Sequence, residues 1–542
     1  MALYPPGDLV VLLPFFMLLL LVYVYLRRSM SAKARNTLLP TEWPVVGMLP
    51  SLVVNLHRLF DYTTDLLAAS GNSFEARGPP MSGLRFFVTR DPDNVRHIFI
   101  SNFANYPKGE EFASVFDVMG DSFFNADGES WRRQRARVQH IMSNPRLLAF
   151  MAACCRGKVE KGLLPILEHM ARAGAPFDLQ CLITRFAFDM TAMPVFGADT
   201  CRLSIDMPPL DVANAMDTVM QVGFFRHTVP VSCWKLMRSL GIGPERRLAA
   251  AQRLLRRFVA EMIEKRRAGA ADTATDGEKE GAPPPVDIVS SYIGDPDYVD
   301  EDGNPREFMY ATFINYMVAG RDTVGTALSW FFSNLIKHPR VAARIREELA
   351  PIASRKAGAK SGGGGGMVVF EPEETKPLVY LQAALFESMR LYPPGPIERK
   401  MALADDSMRL SPPGPIERKM ALADDVLPSG HTVRAGDNIL IPLYSMGRDA
   451  GVWGEDCAEY RPERWVTEDG KLRHVPAHRF MPFNAGPRSC LGKDISVVQM
   501  KSVIAAVAWN FDLEMARGHV VEPKVSVVMQ IKNGLMVKAK KR

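Results

Sequence analysis

"FNAGPRSCLG", residues 483 to 492, decides how the rest of this chain is read. Cys490 stands just before an apolar stretch, Asp494 to Leu513, that reads as a buried helix. Backbone N–H groups and the dipole at a helix start favour a thiolate over a thiol. Gly486 and Gly492 let the backbone turn tightly and approach a flat ligand. Arg488 is suited to pairing with a carboxylate, and Phe483 to packing over the sulfur side. A lone cysteine is usually a small buried hydrophobe. Five fixed letters in ten residues are a different matter. At ordinary residue frequencies they arise by chance in roughly one in ten thousand chains of this length. The loop suits a sulfur ligand to a metal held in a plane.

A second stretch extends the idea. "AGRDT", Ala319 to Thr323, lies inside a long apolar run, Arg306 to Pro339, that predicts one central helix. Glycine inside a helix costs about 1 kcal/mol, so Gly320 wants a reason. The Thr323 hydroxyl is placed to bond back to the carbonyl of Ala319, four residues earlier, and bend the helix. Small Ala319 and Gly320 then leave open space beside the helix. Asp322 beside Thr323 offers an acid and a hydroxyl to relay protons.

On these residues the chain resembles the cytochromes P-450, and the loop at 483–492 is similar to that family's haem-binding loop. The resemblance implies a mainly α fold with small β-sheets, and Cys490 as proximal ligand of the haem iron. Three further stretches match in the family's order. Glu387-Ser-Met-Arg390 matches its E-x-x-R helix, and "YRPERW" supplies Arg464, the third member of a Glu–Arg–Arg cluster with a structural role. By itself the first pair reads only as an i,i+3 surface ion pair. Trp131 and Arg135 in "SWRRQR" match a helix that contacts the haem propionates, although a solvated basic face has the same letters. "NFANYPKG", "FNADGESWRRQR" and the arginine within "AGRDT" resemble the plant branch that hydroxylates fatty acids and very-long-chain alkanes.

The bulk of the chain agrees with one large body behind an anchor. It has 542 residues, 47% of them apolar, and a net charge of +6 that does not argue for nucleic acid. The seven cysteines are odd in number and scattered, which fits a reduced compartment, and most are expected to be buried. Leu9 to Leu26 is uncharged and long enough to span a bilayer roughly once. Arg27, Arg28, Lys33 and Arg35 follow it, which keeps the body on the cytosolic face, as for an anchor in the endoplasmic reticulum. Prolines 40, 44 and 50 make 27–55 a stiff hinge, and 56–542 the catalytic domain. Within it, 268–285 and 355–367 read as loops, the second because of five successive glycines. Helices are expected over 249–267 and 378–391, the second stopped by Pro393-Pro394.

One feature is foreign to any such body. "SMRLYPPGPIERKMALADD" at 388–406 is repeated at 407–425 with a single change, Tyr392 to Ser411. Arg390 and Cys490 stand 100 positions apart, 81 with one copy subtracted, which is close to the family's usual spacing. Two short units cannot bury a core of their own. The repeat is therefore read as a tandem duplication or an error in assembling the coding sequence. The helix should form only at the first copy. The strand-like "GPIERKMALADD" is identical in both, so side-chain pattern leaves its register open.

The reading is a membrane-bound haem-thiolate monooxygenase acting on a long aliphatic substrate. Thr323 and Asp322 deliver protons, and Trp131, Arg135 and Arg488 neutralise the propionates. Cys490, Arg488, Trp131, Arg135, Phe483, Gly486 and Gly492 form the haem site. The resemblance implies haem b, O2 and electrons from NADPH through a cytochrome P-450 reductase, whose acidic face Arg479, Arg488 and Lys493 attract. Two alternatives stay open: a haem-thiolate isomerase or dehydratase of oxygenated lipids, and a product impaired by its duplication.

Overall fold

The computed structural model describes residues 40, 42–43, 46–78, 85–275, 287–293, 295–298, 306–359, 366–401 and 424–542. The expected membrane segment, part of each expected loop and most of the second copy lie outside them. Among the described residues no helix is long and apolar enough to cross a membrane.

Helices dominate. Those that position the site are α1 (Gly128–Met142), α2 (Leu179–Phe196), α3 (Asp211–Thr228), α4 (Gly243–Thr275), α5 (Glu307–Met317), α6 (Thr323–Lys337), α7 (Val379–Leu391) and α8 (Lys493–Asn510). The main core packs α2, α6, α7 and α8 together through Phe186, Leu328, Phe331, Leu381, Leu385 and Ile504, all buried. A second cluster joins α3, α4 and α5 through Met216, Val259 and Phe313.

Prolines set two boundaries in the same way. His338, before Pro339, and Tyr392, before Pro393, leave the helical region at φ −126°, ψ 74° and φ −130°, ψ 73°. Proline's ring disfavours helix in the residue it follows. The expected single central helix is instead interrupted: Val318–Asp322 forms a π turn between α5 and α6. Four expected boundaries also shift. α4 runs to Thr275 and a helix Pro339–Ala359 runs past 355, so both loops begin later than composition suggested. Alanine-rich ends favour helix until glycines accumulate. Leu49–Val54, inside the expected hinge, is a short helix with Pro50 in its first turn. α8 stops at Asn510 because Phe511 opens a strand.

The strands are β1 (Ser73–Arg77), β2 (Arg85–Thr89), β3 (Phe177–Asp178), β4 (Ile397–Met401), β5 (Asp425–Val426), β6 (Thr432–Val433), β7 (Asn438–Pro442), β8 (Phe511–Met515) and β9 (Met536–Lys541). They form three small sheets, ordered β1-β2-β7-β4, β3-β9-β8 and β5-β6. β4 runs antiparallel to β7, with Met401 opposite Asn438.

The sheet answers the question the repeat raised. The first copy supplies both the end of α7 and strand β4. Tyr392, the one residue the second copy changes, stacks on Trp330 with centroids 3.9 Å apart and planes 2° from parallel. Serine at that place forgoes the stack, so the two copies are not equivalent where helix meets core. The chain rejoins the described structure at the second copy's last two residues. There Asp425 accepts hydrogen bonds from His97 at 2.8 Å, Asn102 at 3.0 Å and Tyr106 at 2.5 Å.

Deleting 407–425 leaves Asp406 to take the place of Asp425, with four residues between it and Met401. Those five steps reach about 17 Å, and five steps also separate Val433 from Asn438, the partners of Asp425 and Met401. Loop-closure entropy favours the shorter chain by about 1–2 kcal/mol. The deletion variant is therefore expected to melt no lower than the parent and to load haem at least as well. A lower melting temperature would show that the second copy contributes to the fold.

Candidate functional site

The loop 483–492 rests against the first sheet through Ala485, which is buried with Phe87, Phe99 and Ile439. Gly486 is required there. Its φ is +64°, and an added Cβ would lie 1.9 Å from the Phe99 carbonyl oxygen. Gly492 is under no such constraint: its φ is −89°, and a Cβ would meet only the Cys490 sulfur, at 3.9 Å. The Cys490 amide donates to the Phe483 carbonyl at 2.8 Å, which closes the loop. The Phe483 ring faces Phe386, centroids 6.3 Å apart, with the Lys493 ammonium 5.7 Å from its centre.

Cys490 is accessible to solvent, yet protein surrounds it closely enough that burial pushes its thiol up. The Gly492 amide and the charges of Arg135 and Lys493 pull the other way and do not prevail. Among the protein's own groups, burial outweighs these in setting the direction of the shift. The helix start lies three residues away, and dipole effects fade within a turn. A coordinated cation reverses this, because a metal-bound thiol is deprotonated outright. The other cysteines also depart from expectation. All are free, but only Cys154 and Cys155 are buried.

α1 brings one arginine and an indole to the loop, which adds an arginine of its own. Arg135 donates to the Ser489 carbonyl at 2.6 Å. The Arg488 guanidinium lies 4.6 Å from the Trp131 ring centre and donates to the Ala126 carbonyl at 2.7 Å and to Asp127. Its side chain is 6% exposed, so it cannot face a redox partner as the sequence suggested. Arg479 and Lys493 are exposed.

Two lysines join this cluster that sequence reasoning did not single out. Lys108 sits over the Phe112 and Phe124 rings, at 4.5 and 3.9 Å. Lys400 lies 5.0 Å over Phe99, and its Nζ is buried without a partner, as is Arg488 Nε. Burial pushes Lys108 down to about 7 and Lys400 down to about 8, and both feel Asp127, Glu398 and Arg488. The signal lay in β4. Alternation in "IERKM" puts Glu398 and Lys400 on one face of the strand, with Arg399 on the other.

Four cations, Lys108, Arg135, Lys400 and Arg488, thus meet two carboxylates around the approach to a cysteine. Buried cations lacking partners are costly, and a bound anion relieves them. The donor set fits an iron porphyrin: a soft sulfur for the iron, an aromatic edge at Trp131, and positive charge in excess for two propionates.

The central helix presents a small open face. Thr323 donates to the Ala319 carbonyl at 2.7 Å, the bond expected from the sequence, and both residues are exposed in the middle of a mostly buried helix. Gly320 serves another purpose than the one inferred. A Cβ there would come within 2.6 Å of Thr191 Cγ2 on α2, so glycine permits close helix packing. Asp322 is not beside the Thr323 hydroxyl. Consecutive helical residues point about 100° apart, and Asp322 is buried against Arg321, which also donates to Asp217 on α3 at 2.6 Å.

Beneath the loop, Glu387 is fully buried and accepts five hydrogen bonds. They come from Arg390 at 2.7 and 2.8 Å, Trp465 Nε1 at 2.9 Å, the Arg461 amide at 2.9 Å and Arg464 at 3.3 Å. Arg390 also donates to the carbonyls of Gly447, Cys457 and Glu459.

Comparison with known proteins points the same way. A family model described as Cytochrome P450 matches residues 38–407 and 401–539, breaking where the repeat begins its second copy. Noroxomaritidine synthase 2 of Narcissus aff. pseudonarcissus MK-2014 is 36% identical over 528 residues, covering 97% of this chain and 96% of the relative. Alkane hydroxylase MAH1 of Arabidopsis thaliana is 35% identical over 530 residues, covering 97% and 98%. Cytochrome P450 94A2 of Vicia sativa is 33% identical over 515 residues, covering 94% and 92%.

Proposed function

The chain belongs to the cytochrome P450 family, and from that premise we propose that it hydroxylates a long aliphatic substrate, a fatty acid or a very-long-chain alkane. Members of the family are monooxygenases that use haem b, O2 and electrons derived from NADPH. In this reading the Cys490 sulfur would be the iron's protein ligand. Arg135, Arg488, Lys108 and Lys400 hold the propionates, and the Trp131 ring packs against Arg488. When bound, the haem activates dioxygen and inserts one of its atoms into a C–H bond, the other leaving as water. The chain's own residues orient the ligand, exclude water and bring protons. Thr323 and Ala319 line the open face of the central helix, and Asp322 supplies the acid. Residues 9–26 anchor the body to a membrane, where an NADPH-dependent flavoprotein reductase delivers electrons near Arg479 and Lys493.

The observation that carries the haem assignment is the excess of buried cations around the approach to Cys490. The aliphatic substrate draws support from the alkane hydroxylase at 35% identity. A second reading, formation of noroxomaritidine or a compound like it, draws on relatives of that name at 36%.

One assay separates them. Purified protein with reductase and NADPH is given fatty acids and alkanes in turn, and products are identified by mass. Hydroxylated chains that require both NADPH and reductase are expected. No product from either class, with the haem spectrum intact, removes the aliphatic reading. Turnover that persists without reductase would instead favour a lipid isomerase or dehydratase.

A further inference from the structure

We propose that His227, at the end of α3, receives the polar end of the substrate, and that this end is a carboxylate, so that the chain takes a fatty acid in preference to an alkane. This rests on the aliphatic reading and narrows it.

Three elements fix the imidazole. The Arg399 guanidinium of β4 lies 2.9 Å from His227 Nδ1. Arginine only donates, so Nδ1 accepts and the ring's one proton sits on Nε2. Arg399 is itself held in place. It donates twice to the Asn438 side chain on β7, at 2.6 and 3.0 Å, and pairs with Glu111 at 2.9 Å. Glu111 belongs to a short helix, Gly109–Val115. The Phe112 ring of that helix, and Phe116 just beyond it, pack against the imidazole with centroids 6.2 and 5.5 Å away. Burial and the charge of Arg399 push His227 down to about 3. The ring is therefore neutral near neutral pH, and its neighbours choose the tautomer.

Nε2 is the atom left without a task. It makes no hydrogen bond among the described residues, and His227 is partly exposed while Arg399 and Asn438 are buried. The rings around it belong to an apolar cluster that also takes in Val318 of the central helix, Leu491 beside Cys490, and Val527. One fixed N–H donor thus borders the apolar region that reaches the cysteine loop.

The chemistry of that donor selects its ligand. An alkane filling the region offers no acceptor, and a donor left unsatisfied costs roughly 10–100-fold in affinity. A carboxylate accepts. Arg399 behind the ring polarises the imidazole and strengthens Nε2–H toward an acceptor that carries negative charge. Glu111 meets Nη2 of the guanidinium while Nη1 faces the ring. The Glu111 side chain is 29% exposed against 5% for Arg399, so solvent screens the carboxylate more than the cation.

Optical titration of the holoenzyme tests this without turnover. Palmitate, its methyl ester and hexadecane are added in turn, and binding is read from the shift of the haem absorbance. Palmitate is expected to bind roughly 10-fold or more tighter than hexadecane, with the uncharged ester between them. His227→Phe keeps an aromatic ring against Phe112 and Phe116 and removes the donor. It should bring the ratio of the two affinities close to one by weakening palmitate, with hexadecane bound at least as well as before. His227→Gln, whose amide N–H stands in for Nε2–H, should restore most of the preference. Where His227→Phe fails to hold haem, His227→Asn decides, because its shorter amide keeps the polarity and loses the reach. A preference that survives in these donor-less or shortened variants overturns the proposal, and so does a parent that binds hexadecane as tightly as palmitate. Haem-loaded protein whose absorbance answers to none of the three probes overturns the aliphatic reading instead.

Discussion

Cys490→Ala is expected to remove the reduced, carbon monoxide-bound absorbance of a thiolate-ligated haem and to take turnover to background. The loss should exceed the ~10–100-fold that changes outside a metal's own ligands cost. Geometry keeps the test specific. Alanine leaves the loop's closing bond from residue 490 to Phe483 intact, since it is made by the backbone. It leaves Gly486 under the Phe99 carbonyl. It also leaves Lys108, Lys400, Arg135 and Arg488 to attract propionates. The variant should therefore fold, bind porphyrin weakly and show altered absorbance, not vanish from the soluble fraction. Haem per protein and the reduced spectrum check both halves. If absorbance and turnover match the parent, Cys490 is not the iron ligand.

What the sequence disclosed, and what it hid, divide by the range of the interaction. The Thr323 bond to Ala319 spans four residues, and the prolines that stop α6 and α7 act on their immediate neighbours. Such local terms are written in consecutive letters. The meaning of Gly320 was not, because the atom it avoids belongs to Thr191, on another helix. Lys108 and Lys400 meet across nearly three hundred positions, and only folding reveals that they share a cluster. Asp322 was named as an acid, but its side chain answers to Arg321 and Asp217, not to the hydroxyl next in sequence. The repeat shows the same divide. Its strand letters are identical in both copies, and it is the ring of Tyr392 against Trp330 that sets the copies apart.

The Glu387 cluster allows the sharpest test of stability. Glu387→Ala strands the Arg390 guanidinium, whose side chain is 0% exposed. Breaking a buried ion pair from one side costs about 3–5 kcal/mol, against a total stability of about 5–15 kcal/mol for a typical domain. The Trp465 indole N–H and the Arg461 amide lose their acceptor at the same time. A large fall in the urea midpoint is therefore expected, with haem lost in parallel, because α7 packs against α8, which continues from the cysteine loop. Removing both charges often rescues such sites, since the desolvation of two ions is relieved together. Here it should not. Arg390 also supplies the carbonyls of Gly447, Cys457 and Glu459, and an acceptor left unsatisfied in the interior, as that of buried Gly447 would be, costs about 1–3 kcal/mol. Glu387→Leu with Arg390→Met is accordingly expected to be no more stable than Glu387→Ala. Recovery to the parent's midpoint in the double variant would show that the pair, and not the arginine's carbonyl contacts, governs this part of the core.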